Sequence, residues 1–185
     1  MKKTKPNYSW IIIVTLSSFV ISLILGFFTN VVVNDLSIGI SVFVIMLVIC
    51  LGILFDIIGL AVATATEVPF HAKSAKKVNG SKESLALIRN AEKVSSFCND
   101  VIGDIAGVLS GGLAMAVAVN VHKSFPLING LIINLVFTAI VSSITVGGKA
   151  MGKNFAITKS YVIVETCGII IFKFKRLFIH KKREN

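Results

Sequence analysis

Charge is scarce in this sequence. Asp, Glu, Lys and Arg make up 15% of its 185 residues, against about 25% in an ordinary soluble domain. Hydrophobic residues reach 55% and the mean hydropathy is +0.86, which argues against a water-soluble globular domain. Cysteine is scarce too: Cys50, Cys98 and Cys167 have no paired spacing, so neither a disulfide framework nor a zinc site is supported, and buried structural thiols are expected. The three histidines, His71, His122 and His180, fall in separate polar segments, which speaks against a histidine metal site. No Ser/His/Asp arrangement, nucleotide motif or phosphate loop occurs, and Gly147-Gly148-Lys149 lacks the spacing of a P-loop. The chain is therefore not expected to be an enzyme. Repeats and low-complexity segments are absent.

What is present are long apolar runs. A run of about 18 or more apolar residues with few charges reads as a membrane helix. Four such runs lie at roughly 9–33, 38–65, 101–121 and 127–146, so the expected fold is an all-α membrane protein with four transmembrane helices. The first follows a basic start, Met1-Lys2-Lys3-Thr4-Lys5. It is too long for a signal-peptide core and has no small-residue cleavage site behind it, so it reads as a retained helix. Asn34-Asp35-Leu36-Ser37 forms the expected turn between the first two spans, and His122 to Pro126 the connection between the last two.

The net charge of +10 does not imply nucleic acid, because the basic residues flank apolar runs and are not interleaved with exposed aromatics. With four spans, only Lys123 of the 19 Lys and Arg residues falls on one side, leaving 18 on the other. The positive-inside rule makes that crowded side cytoplasmic, so both termini are expected in the cytoplasm and the protein in the plasma membrane (the inner membrane of a bacterium). The segment from Glu67 to Asp100 reads as a helical hairpin: a first helix through Ala72, Ala75, Lys76 and Val78, a stop at Asn79-Gly80, and a second helix from Ser81 to Asn90. Its basic face suits anionic lipid headgroups. Tyr161–Phe172 is too short to span and carries Glu165, which fits an interfacial helix before a basic tail that runs through Arg183. The organisation expected is an N-terminal helix over 1–37, a three-helix core over 38–148 with the hairpin at 67–100, and a juxtamembrane helix and tail over 149–185.

Ionisable groups inside a membrane are costly and face a protein interior, a cavity or an ion path. Asp56 lies within the second span. Glu67 follows eleven residues later, about three turns and about 16 Å along the helix. Asp100 and Asp104 are four apart at the start of the third span, where they share a face. Glu67 and Asp104 lie at similar depth, and converging carboxylates with the hydroxyls of Thr64 and Thr66 make the oxygen set that magnesium and calcium take. Asp100 also suits a helix cap. Asp56 has three readings: a second cation station, a proton carrier, or a protonated carboxyl bonded to a neighbouring helix. Gly103, Gly107 and Gly111 form a small-residue stripe that predicts close helix packing. Gly147 and Gly148 are expected to end the fourth span.

From the second span to Ser160 the sequence resembles the transmembrane domain of the CorC/cyclin M family of magnesium transporters. Thr64-Ala65-Thr66-Glu67 matches the family's Ser-x-Ser-Glu element with threonines for serines. Ala75 to Gly80 followed by Ala86-Leu87 matches its basic hairpin, and Gly103-Asp104 its Gly-Asn, with aspartate for asparagine. Gly148-Lys149-Ala150 stands in the place of Pro-Lys, Thr145 where a glutamate is usual, and Pro69-Phe70-His71 departs from the usual continuation. The resemblance implies a homodimeric transport domain in which Thr64, Thr66, Glu67, Gly103 and Asp104, with Asp100 beside them, hold a magnesium ion. The family's CBS and terminal domains have no counterpart in these residues, so ATP regulation is not expected of the chain alone, and a separate cytoplasmic regulatory subunit is the partner this leaves room for. Two other readings stay open. One is a non-transporting scaffold that binds a partner through Lys73, Lys76 and Lys77; the other is a proton-coupled solute transporter using Asp56.

Overall fold

A computed structural model describes residues 8–35 and 37–181. Lys2, Lys3 and Lys5 of the basic start, Leu36 of the expected turn and the tail from Lys182 through Arg183 lie outside the described residues. Among the described residues the chain is all helical: α1 (Tyr8–Asp35), α2 (Ile38–Thr64), α3 (Val68–Ala75), α4 (Ser81–Arg89), α5 (Ala91–Ser96), a π-helix (Phe97–Gly103), α6 (Asp104–Ser124), α7 (Gly130–Thr158) and α8 (Ser160–Lys181). Four helical stretches are long and apolar enough to cross a membrane: Tyr8–Phe27, Ile38–Thr64, Ala91–Ser124 and Gly130–Thr158. This is a four-span, all-α membrane protein.

The spans differ from the expected ones at their ends. The third begins ten residues before the expected Val101, because α5, the π-helix and α6 run on without a break. Asp100 sits inside that continuous helix, where it has no free first turn to cap, so its reading as a helix cap is corrected. The fourth starts at Gly130 because Asn129 Oδ1 accepts a 2.9 Å hydrogen bond from the Leu131 N–H, satisfying a donor of the first turn. It also continues through Gly147 and Gly148 to Thr158, so these glycines do not end the span. A mid-helix glycine costs only about 1 kcal/mol relative to alanine, and Gly148 has a packing reason: a Cβ there would lie 2.3 Å from Ile53 Cδ1.

The chain divides into two compact units, one of residues up to Ile53 with Asp100–Gly148, the other of Leu54–Asn99 with residues from Lys149 onward. The first unit is built around Ile45, Ile49, Leu113, Ala114, Val117 and Val141. There α2 and α6 approach closely, since a Cβ on Gly52 would meet the Ala106 Cβ at 2.8 Å. Outward-facing side chains such as Phe19, Leu23, Phe43, Val108 and Leu131 are exposed and apolar, a surface that hydrocarbon rather than water would cover. Cys50 is exposed on this surface, while Cys98 is buried and Cys167 partly buried; the expectation of buried thiols fails for Cys50 because its face of α2 points outward.

The α3–α4 hairpin and α8 form the second unit with the end of α2, α5 and the end of α7. Its core joins Ala61 and Val62 to Phe70, Leu85, Ile88, Ala156 and Val164. The hairpin turn needs Gly80 twice over. Its φ is +83°, which favours glycine, and a Cβ there would lie 2.7 Å from the Ile169 backbone nitrogen. One turn on, buried Ser84 donates to the Gly80 carbonyl at 3.1 Å and the Val164 carbonyl at 3.2 Å. Lys73 Nζ stands 2.5 Å from Glu165 Oε1 and 5.0 Å above the Tyr161 ring, which packs on Phe70. Lys175 pairs with Glu83 at 3.4 Å. Thus α8, longer than the expected 161–172, is held against the hairpin along the stripe Tyr161, Glu165 and Gly168.

Candidate functional site

The residues predicted to matter fall into both units: Asp56, Thr64, Thr66 and Glu67 in the second, Asp100, Gly103 and Asp104 in the first. In the second unit α2 ends at Thr64, so its last carbonyls and the negative end of the helix dipole face the stretch Ala65-Thr66-Glu67. Thr64 Oγ1 donates to the Leu60 carbonyl at 2.9 Å, which leaves its lone pairs free to accept or to ligate. Thr64 and Thr66 line one cavity of about 170 Å³ with Ala65, Pro69, Phe70, Ser160 and Tyr161.

Glu67 sits at the start of α3, 2.9 Å from His71 Nε2 and 3.5 Å from Arg89 Nε. The hydrogen bond from His71, with Arg89 adding to it against partial burial, holds its carboxyl below the ordinary value of 4.5. A carboxyl depressed in the folded state contributes stability above its unfolded value and loses it as pH falls through the folded one. Wild type and Glu67→Gln are therefore expected to differ in thermal midpoint at pH 7, and the difference to close as pH is lowered through 4.5 toward 3. The Lys73 ammonium shifts the other way, raised by Glu165 first and Tyr161 second. That lysine is part of the unit's internal framework.

In the first unit Asp100 and Asp104 are exposed and Gly103 is buried. Asp100 and Gly103 belong to the π-helix and Asp104 opens α6. A π-helix bonds i→i+5 and its turns are wider than an α-helix's, so the four-residue spacing falls short of a full turn and the two carboxylates stack less directly than an α-helix would have them. Gly107 and Gly111 have no atom within 4 Å of a would-be Cβ. The close packing expected along the glycine stripe is thus not present there, because α6 meets α2 at Gly52 and Ala106 instead.

The largest departure from expectation concerns Asp56. Its Oδ2 lies 3.1 Å from Lys149 Nζ, with the two side chains 15% and 22% exposed. Lys149 reads in the sequence as a basic residue beyond the fourth span, but continuation of α7 through the glycines puts it inside. Asn99 was missed altogether. Its Oδ1 is buried and, among the described residues, has no hydrogen-bond partner; it lies 2.2 Å from where a Cβ on Gly59 would be. The one signal that could have found it is Gly59 itself, a glycine three residues after an intramembrane aspartate. Among the described residues no three His, Cys, Asp or Glu side chains gather as a metal-holding group. No family model, curated protein or solved structure matches the chain.

Proposed function

We propose that the protein transports a divalent metal cation, magnesium foremost, across the plasma membrane, as a homodimer with both termini in the cytoplasm. Glu67 with Thr64 and Thr66, and Asp104 with Asp100 and Gly103, are the oxygen-bearing stations of the route. The observation that carries this reading is the π-helix at Phe97–Gly103. A membrane-spanning helix gives up its regular hydrogen bonding at the residues that carry Asp100 and Gly103, and π-turns inside α-helices concentrate at functional sites. The end of α2 at Thr64 supports it independently, since a helix C-terminus with free carbonyls and two hydroxyls favours a cation. The order of these elements also resembles the magnesium transporters of the CorC/cyclin M family. The basic surface left by Lys76, Lys77 and Lys82 suits anionic headgroups at the cytoplasmic face.

The test is magnesium flux into proteoliposomes carrying an entrapped magnesium-sensitive dye. Losing a charged ligand removes about 1.5–3 kcal/mol, so Glu67→Gln and Asp104→Asn are each expected to lower flux by about ten- to a hundredfold. Flux unchanged in both variants would sink the assignment. Neutralising Lys76 and Lys77 is expected to leave flux within about twofold, since exposed charges contribute little; abolition by that change alone would favour a partner-binding scaffold.

A further inference from the structure

An aspartate and a lysine paired inside membrane-spanning helices need an explanation. Asp56 precedes the end of α2 by eight residues, about 12 Å of helix, and Lys149 precedes the end of α7 by nine. Each is thus set back from the end of its helix by about two turns. A partly buried ion pair is weak evidence for stability, because the desolvation of both groups offsets their attraction. An apolar pair would hold α2 and α7 as well.

The surroundings hold one more unsatisfied oxygen. Asn99 Oδ1 is buried without a hydrogen-bond partner, and a buried acceptor left unmade costs about 1–3 kcal/mol. It fits only because position 59 is glycine, and Gly59 lies three residues after Asp56 on α2, hence on a neighbouring part of the same face. A carboxylate and an amide oxygen are hard-cation donors. The charge now beside Asp56 is the Lys149 ammonium, a compact point cation on a flexible four-carbon stem.

We infer that Asp56 and Asn99 form a hard-cation binding station that Lys149 holds closed as a tethered counter-ion, exchanging with a metal cation from solution. When the ammonium swings away the cation takes its place, and when the cation leaves Lys149 returns, so the aspartate never stands uncompensated in hydrocarbon. The station is distinct from Glu67 and Asp104 and does not depend on their role.

The experiment is thermal unfolding of the full chain in lipid nanodiscs, in a Glu67→Gln/Asp100→Asn/Asp104→Asn background that removes the carboxylates of the other stations. Magnesium chloride and sodium chloride are titrated separately, with choline chloride holding ionic strength constant. Lys149→Gln removes the competitor, so the cation concentration for half-maximal stabilisation is expected to fall by about tenfold or more. Adding Asp56→Asn is expected to abolish the response. Lys149→Arg is expected to move the half-point upward, because a guanidinium grips a carboxylate through two hydrogen bonds; it decides the matter should Lys149→Gln not fold. A response to magnesium alone assigns a divalent station, and an equal response to sodium a site for small hard cations generally. A response to neither ion, a half-point unmoved by both Lys149 variants, or a response that survives Asp56→Asn overturns the inference. Loss of flux in the Glu67 and Asp104 variants would leave these results untouched, so the two readings fail separately.

Discussion

Lys149→Met, measured in choline buffer without metal cations, is expected to destabilise the protein by about 3 kcal/mol. Asp56→Asn in the same chain is expected to remove most of that loss. The asymmetry follows from what each change leaves behind. The single substitution strands a carboxylate whose partner stood 3.1 Å away, inside a helix meant for hydrocarbon. The double substitution leaves a neutral amide beside an apolar side chain, and exchanging a buried ion pair for uncharged groups is often close to neutral. A double-mutant cycle of unfolding in micelles isolates the coupling between the two positions. A coupling of about zero would mean that the pair is held apart or already hydrated in the membrane.

The second large effect is expected at the crossing of α4 and α8. Gly168→Val is expected to destabilise the second unit by about 3 kcal/mol or more, since overpacking a tight contact costs about 1–3 kcal/mol and occasionally more. A Cβ at Gly168 would lie 2.1 Å from Ser84 Oγ and 2.5 Å from the Gly80 carbonyl oxygen. The hydroxyl can turn aside, but the carbonyl is backbone and accepts the Ser84 N–H at 2.9 Å, so moving it disrupts the hairpin turn. Gly80→Ala meets the Ile169 backbone and adds about 1–2 kcal/mol of left-handed strain. Gly107→Ala and Gly111→Ala are the controls. Nothing lies within 4 Å of their would-be Cβ atoms, so they are expected to be neutral or to stabilise α6 by up to about 1 kcal/mol. Thermal midpoints of the four variants check the order, and a stable Gly168→Val would mean that α8 does not press on the hairpin.

The turn at Gly80 was legible because a glycine between two helical segments signals a left-handed residue, and Gly80 has that conformation; the expected first helix through Val78 nevertheless stops earlier, at Ala75, and Lys77 is left-handed as well at φ +54°. The Lys73–Glu165 pair was not legible. The partners are 92 residues apart, and nothing local to either says that α8 returns to the hairpin. Gly147-Gly148 misled for a related reason. Two adjacent glycines look like a breaker when only propensity is weighed, yet tertiary contact with Ile53 makes a small residue useful in mid-helix and overrides the preference. The same error hid Lys149, since ending the span at Gly148 leaves the lysine outside.

What the sequence determined by itself is the class of the protein. Hydrophobic runs of span length must satisfy their backbone internally, which in a membrane means helices, and this follows from composition and order without any knowledge of packing. It also marked Asp56 as a charge that hydrocarbon will not tolerate alone. Tertiary structure decided who answers that charge. Lys149 reaches it because α7 stays helical past its glycines, and Asn99 comes up beside Gly59 because a π-turn re-aims the residues it carries. Both depend on which helix faces lie against each other, and the free energy that settles this is spread over contacts between residues far apart in the chain.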